Sequence, residues 1–181
     1  MLAIVPFKGL DGAKTRLAAV LSAEERARLA LEMLGRVVAA CDGASSIERT
    51  LLVTPEPEAV PAGVEVLVDD GRGHAEAIAL ALDDPRARGG GVVVVMADCP
   101  LAAPEALDTL ARSARPLALV PALDGGVNAL ALRDPARFTP SFGVPAMETI
   151  EHARRAGIEP FVLDDERLSL DVDRPEDLAF A

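Results

Sequence analysis

Val92-Val93-Val94-Val95-Met96-Ala97-Asp98-Cys99-Pro100-Leu101 is an unbroken apolar run that ends in an acid and a proline turn. A strand with one face in water alternates apolar and polar positions, whereas a strand covered on both faces is apolar throughout. The run is also too short for a buried helix. It predicts the central strand of a sheet sandwiched between helices.

Working outward, short runs rich in Val, Leu and Ile recur at 2–5, 50–53, 64–68, 117–120, 128–132 and 160–163. Helical stretches lie between them. Ser22-Ala23-Glu24-Glu25 has the form of a capping box and opens a helix with Leu29, Met33, Val37 and Val38 on one stripe. Helices also fit 75–82, 104–114 and 145–156, with a final turn from Pro175. Strand and helix in alternation predict a three-layer α/β/α sandwich around a mostly parallel sheet. No repeat or linker divides the 181 residues, so one domain over 1–181 is expected.

Composition narrows the function classes. Hydrophobic residues make up 50% of the chain and charged residues 26%, a globular balance. There is no Trp or Tyr, so the aromatic platforms of single-stranded nucleic-acid binders are lacking. A net charge of −11 opposes a polyanion over the general surface. No nucleic-acid partner is expected, and any anion must be caught locally. No run is long enough to span a membrane, and the start is too short for a signal segment, so a cytoplasmic protein is expected. The oligomeric state, a homodimer included, is left open. Cys41 and Cys99 lack disulfide or metal spacing and read as small core residues.

Of 18 basic residues only Lys8 and Lys14 are lysines, and both follow the first apolar run. Lys is a compact point charge on a flexible stem, suited to crowded phosphate oxygens. Lys8, Gly9, Gly12, Lys14 and Arg16 therefore read as an anion-handling loop. Neither G-x-x-x-x-G-K-[ST] nor G-x-G-x-x-G is present, and a solvated loop is the plain alternative. Ligands of parallel sheets sit beyond the carboxyl ends of the strands, so this loop and Ala97–Leu101 should face each other.

Asp98 either holds a metal or caps a turn. Asp171 and Asp173 share one face of an extended segment and repel unless a cation lies between them. Asp173 alternatively caps the last helical turn ahead of Pro175. Asn128, after Gly125-Gly126-Val127, is a turn residue or a reader of a ligand. His74 and His152 are isolated and read as structural or surface residues. Together, lysines after the first strand and three well-placed Asp suggest a metal-dependent nucleotidyl transferase. The lysines would hold a triphosphate and the carboxylates Mg²⁺.

Val5-Pro6-Phe7-Lys8 with Ala13-Lys14-Thr15-Arg16-Leu17, then Ala97-Asp98-Cys99-Pro100-Leu101, Asn128-Ala129-Leu130, Phe142-Gly143 and Leu170-Asp171-Val172-Asp173-Arg174-Pro175-Glu176-Asp177-Leu178 follow in order. This series resembles the guanylyltransferases of deazaflavin coenzyme (coenzyme F-420) biosynthesis, over nearly the whole chain. The resemblance implies the molybdopterin-guanylyltransferase-like, nucleotide-diphospho-sugar transferase fold. It implies transfer of GMP from GTP to 2-phospho-L-lactate or phosphoenolpyruvate, with 3-phosphoglycerate a chemically close candidate. It also implies Mg²⁺ on Asp98, Asp171 and Asp173, and GTP phosphates near the catalytic Lys8, Lys14 and Arg16. The nucleotide would lie near Pro6, Gly9 and Gly73, and the acceptor near Val127, Asn128, Gly143 and Ala146.

The chain departs from the family at particular places. Val127 replaces a Thr, Phe142-Gly143-Val144-Pro145-Ala146 replaces F-G-x-G-S, and Gly73-His74-Ala75-Glu76-Ala77-Ile78 replaces G-L-N-A-A-L. A lost donor to a charged group costs about 1.5–3 kcal/mol. Two expectations follow: an acceptor other than 2-phospholactate, or a nucleotide-binding relative without transfer that acts as a regulator or partner subunit.

Overall fold

The computed structural model describes residues 1–60 and 62–181. The seven expected strands are present: β1 (Leu2–Pro6), β2 (Arg49–Thr54), β3 (Glu65–Val68), β4 (Val92–Val95), β5 (Leu117–Pro121), β6 (Val127–Leu132) and β7 (Phe161–Val162). They form one sheet in the order β3-β2-β1-β4-β6-β5-β7. β4 lies in its middle with all four residues buried, as a strand apolar on both faces must. The parallel pairs are β1 with β2 and β4, β2 with β3, and β5 with β7. Only β6 is reversed, running antiparallel to β4 and β5.

The reversal follows from a hairpin. Asp124 accepts the Gly126 N–H at 3.1 Å, and Ala122 N–H donates to the Gly126 carbonyl at 2.9 Å. Gly125 sits at φ 98°, a conformation natural to glycine. An Asp-Gly pair between apolar runs is a hairpin signal. As a result β6 starts, rather than ends, at the edge where β1 and β4 finish. Val127 and Asn128 are delivered there.

The main helices are α1 (Ala23–Gly43), α2 (His74–Asp83), α3 (Pro104–Ser113) and α4 (Ala146–Arg155). Ser22 accepts the Glu25 N–H at 3.2 Å while Glu25 accepts the Ser22 N–H at 2.8 Å, the capping box expected. α1 and α2 both pack on β1 and β2, and α1 also packs on α3. Because β1 is buried at every position, the two helices cover opposite faces, giving the three layers. A four-residue helix, α5 (Glu166–Ser169), was not legible, being too short to show a period. Cys41 and Cys99 are fully buried, and burial pushes the Cys41 thiol up to about 12, so both are core residues.

α3 is tied to the segment after α1 by one carboxylate. Asp108 accepts Ser45 Oγ and the Ser46 N–H, each at 2.7 Å. The Ser45 bond, with the Ser46 amide, holds the carboxyl down at about 2. A depressed carboxyl stabilises the fold above its unfolded value of 3.8 and loses that effect as pH falls towards 2. Asp108→Ala should cost about 1–2 kcal/mol at neutral pH. In urea unfolding, the gap between variant and wild type should narrow as pH falls from 4 to 2.

Candidate active site

The carboxyl edge of the sheet opens into a cleft of about 720 Å³. One wall is the loop after β1, carrying Lys8, Lys14 and Arg16, and the floor carries Asp98, Asp171 and Asp173. The far wall is Gly125–Asn128 with Gly143–Pro145. The two loops expected to face each other do so, since Lys14 Nζ lies 2.6 Å from Asp98 Oδ2.

The acid pair near the C-terminus is positioned by the residue between its members. Val172 is fully buried against Leu17 and Met33, so Asp171 and Asp173 are turned towards the cleft. Val172 N–H donates to the Asp98 carbonyl at 3.3 Å, stitching the two acidic segments together. Asn128 Nδ2 donates to the Ser169 carbonyl at 3.1 Å and to Asp171 Oδ1 at 3.2 Å. Asn128 is thus buried and orients an acid from the neighbouring segment.

One carboxylate oxygen from each of Asp98, Asp171 and Asp173 can be chosen so that all three lie within 4.8 Å of one another. An all-oxygen, triply charged donor set fits a hard divalent cation such as Mg²⁺. The charge balance inside the cluster is uneven. Asp173 accepts Lys14 Nζ at 2.9 Å and Arg16 at 2.8 Å. Burial opposes its ionisation, but Lys14 and Arg16 outweigh burial and hold the carboxyl below the usual range. Asp171 has no cationic partner among the described residues. Burial, with Asp98, Asp124 and Asp173 nearby, pushes it up to about 6 against the opposing Asn128 bond. Lys14 is itself raised, because Asp98 and Asp173 overcome the effect of burial.

Asp173 does not cap the last turn. Its own N–H and that of Arg174 donate to Asp177, at 3.0 and 2.7 Å, so Asp177 takes that task. His74 also differs from expectation. It starts α2, lines the cleft, and is pushed down to about 4 by burial and by Lys8, so it is a neutral imidazole at pH 7. Its neighbours Lys8 and Asp98 are remote in sequence, and no spacing could have revealed it. His152 lies outside the cleft, where Nδ1 is 2.7 Å from Ser141 Oγ.

The remaining candidate residues divide. Pro6, Gly9, Val127 and Gly143 line the cleft. Gly9, at φ 89°, lies against Glu56, whose carboxylate fills the space that a Cβ would take. That carboxylate accepts the Leu10 N–H at 2.8 Å, so this amide is committed within the protein. Gly73 is the N-cap of α2 and delivers His74 without lining the cleft itself. Ala146 is buried in the core, and its N–H donates to the Gly125 carbonyl at 2.8 Å. It pins one half of the far wall to the other instead of facing the cleft.

A cationic loop opposite three acids at the carboxyl edge of such a sheet defines a nucleotidyltransferase. The family described as "Guanylyl transferase CofC like" matches residues 1–180, and the chain belongs to it. It is 36% identical to the phosphoenolpyruvate guanylyltransferase of Sphaerobacter thermophilus, over 98% of this chain and 90% of that one. It is 37% identical to the 2-phospho-L-lactate guanylyltransferase of Halorubrum lacusprofundi, over 99% and 82%. In fold it is similar to a candidate nucleotide-diphospho-sugar transferase from Desulfovibrio desulfuricans, with a TM-score of 0.77 at 22% identity, covering 98% and 83%.

Val172→Ala should cost about 1–3 kcal/mol through the cavity left between Leu17 and Met33. Urea unfolding should register it as a lower midpoint with an unchanged slope.

Proposed function

We propose that this protein transfers GMP from GTP to a small phosphorylated carboxylic acid, releasing pyrophosphate, as a step in coenzyme F-420 biosynthesis. Phosphoenolpyruvate, 2-phospho-L-lactate and 3-phosphoglycerate are the acceptors to test. The observation that carries this is the joining of Lys14, Asp98 and Asp173 by contacts of 2.6 and 2.9 Å in a cleft that also holds Asp171. The names of the curated relatives support the choice of nucleotide and acceptor class.

In this scheme a phosphate oxygen of the acceptor attacks the α-phosphorus of GTP. The α–β phosphoanhydride bond breaks and pyrophosphate leaves with the electron pair. A phosphate monoester has its second pKa at about 6, so at neutral pH it is largely dianionic and needs no general base. Neutral His74 then acts as a hydrogen-bonding partner in the cleft, not as a proton acceptor. Lys8, Lys14 and Arg16 would neutralise the triphosphate and orient it. Asp98, Asp171 and Asp173 would hold Mg²⁺, which when bound draws charge from the phosphates.

The far wall favours a second outcome worth separating. The cationic side chains of the cleft, Lys8, Lys14 and Arg16, belong to one loop, while the acceptor wall offers Asp124, Val127 and Pro145. A protein that binds nucleotide without transferring it would fit that wall. The assay is pyrophosphate release from GTP and Mg²⁺ with each acceptor. Release with at least one acceptor is expected, and GTP binding with none releasing would favour the non-catalytic relative. Asp98→Ala and Lys14→Ala should each lower kcat/KM by about 10²-fold or more. Wild-type rates in either variant would remove these residues from the mechanism.

A further inference from the structure

Lys14 already occupies the place between two of the three acids. Its Nζ is 2.6 Å from Asp98 Oδ2 and 2.9 Å from Asp173 Oδ1, with only 10% of the side chain exposed. An ammonium has three donors, and two are taken by carboxylates that belong to the cation-binding cluster. One donor remains, so gripping a triphosphate through more than one oxygen means giving up a carboxylate. A divalent cation arriving on Asp98 and Asp173 would repel it, while phosphate oxygens on the loop would attract it. Two features let it move. The side chain ends in a flexible stem, so Nζ can travel several bonds' length with the backbone still. Arg16, exposed and bonded to the other oxygen of Asp173 at 2.8 Å, keeps that acid compensated if Lys14 leaves.

We propose that Lys14 is an exchangeable counter-ion. In the nucleotide-free protein it holds the place of the divalent cation between Asp98 and Asp173. When metal and nucleotide arrive together it passes to the phosphates, so the two bind as one coupled event. This rests on the metal-binding role proposed for Asp98, Asp171 and Asp173. The exchange keeps Asp98 and Asp173 compensated in both states, and their bare carboxylates would otherwise repel each other strongly. By linkage, nucleotide and metal must each raise the other's affinity by the same factor.

The test measures Mn²⁺ binding to the whole chain by electron paramagnetic resonance, without nucleotide. Lys14→Met should bind Mn²⁺ about tenfold or more tightly than wild type, the scale of an ordinary coupling between ligands. Equal or weaker binding in Lys14→Met overturns the exchange. If Asp171→Asn then still abolishes Mn²⁺ binding, the metal site itself stands. If Asp171→Asn also changes nothing, both the exchange and the metal site fall. A wild-type measurement covers the case in which Lys14→Met does not fold. Lys8 and Lys14 are the only lysines, so ¹⁵Nζ-lysine spectra contain two side-chain signals, assigned with Lys8→Arg. Mg²⁺ with α,β-methylene GTP should shift the Lys14 signal, and Mg²⁺ alone at the same concentration should not. A Lys14 signal unmoved by the pair, or moved equally by Mg²⁺ alone, overturns the exchange.

Discussion

The burial of Val172 is the constraint on which the acidic side of the cleft depends. Its side chain is packed against Leu17, which ends the lysine loop, and against Met33 of α1. This small apolar cluster, with the ion pairs from Lys14 and Arg16 to Asp173, ties the cationic loop to the acidic pair. The extended backbone then places Asp171 and Asp173 on the opposite face from Val172. Close packing turns this into a geometric constraint, because a side chain in a dense interior has few alternative positions.

On that base the electrostatics become intelligible. Three like charges within 4.8 Å would repel, and among the described residues Lys14 and Arg16 alone pair with them. The compensation is lopsided, full at Asp173 and missing at Asp171, which is pushed up to about 6. A site so balanced is prepared for one more positive charge beside Asp171 and for anions beside Lys14. Binding of a metal–nucleotide complex would relieve both imbalances together. The same argument is compatible with an acidic general surface, since the proposed attraction for a nucleotide would be confined to one loop.

Much of this was legible from local pattern. The strands followed from apolar runs, and the capping box marked the start of α1 to the residue. The carboxyl-edge rule predicted that the lysine loop and Asp98 would meet, and they are in direct contact. Most of the misses depended on neighbours far away in the chain, whereas the cap was decided within one turn. His74 looked isolated because its partners come from other loops, Asp173 looked like a cap because Asp177 was not weighed as the alternative, and Ala146 looked cleft-facing although it packs into the core. Gly9 lies against the Glu56 carboxylate from the loop after β2, a pairing that no local window contains.

By itself the sequence determined the layer architecture, the family, and the residue types available for chemistry, because periodicity, capping and motif order are local properties of the chain. The tertiary structure alone decided the direction of β6, the burial of Val172, the neutrality of His74 and the placement of Lys14 between Asp98 and Asp173. Those outcomes depend on distance and desolvation, which are set by the packing of segments remote in sequence. Charge compensation is a property of the assembled cleft, and no single stretch of the chain encodes it.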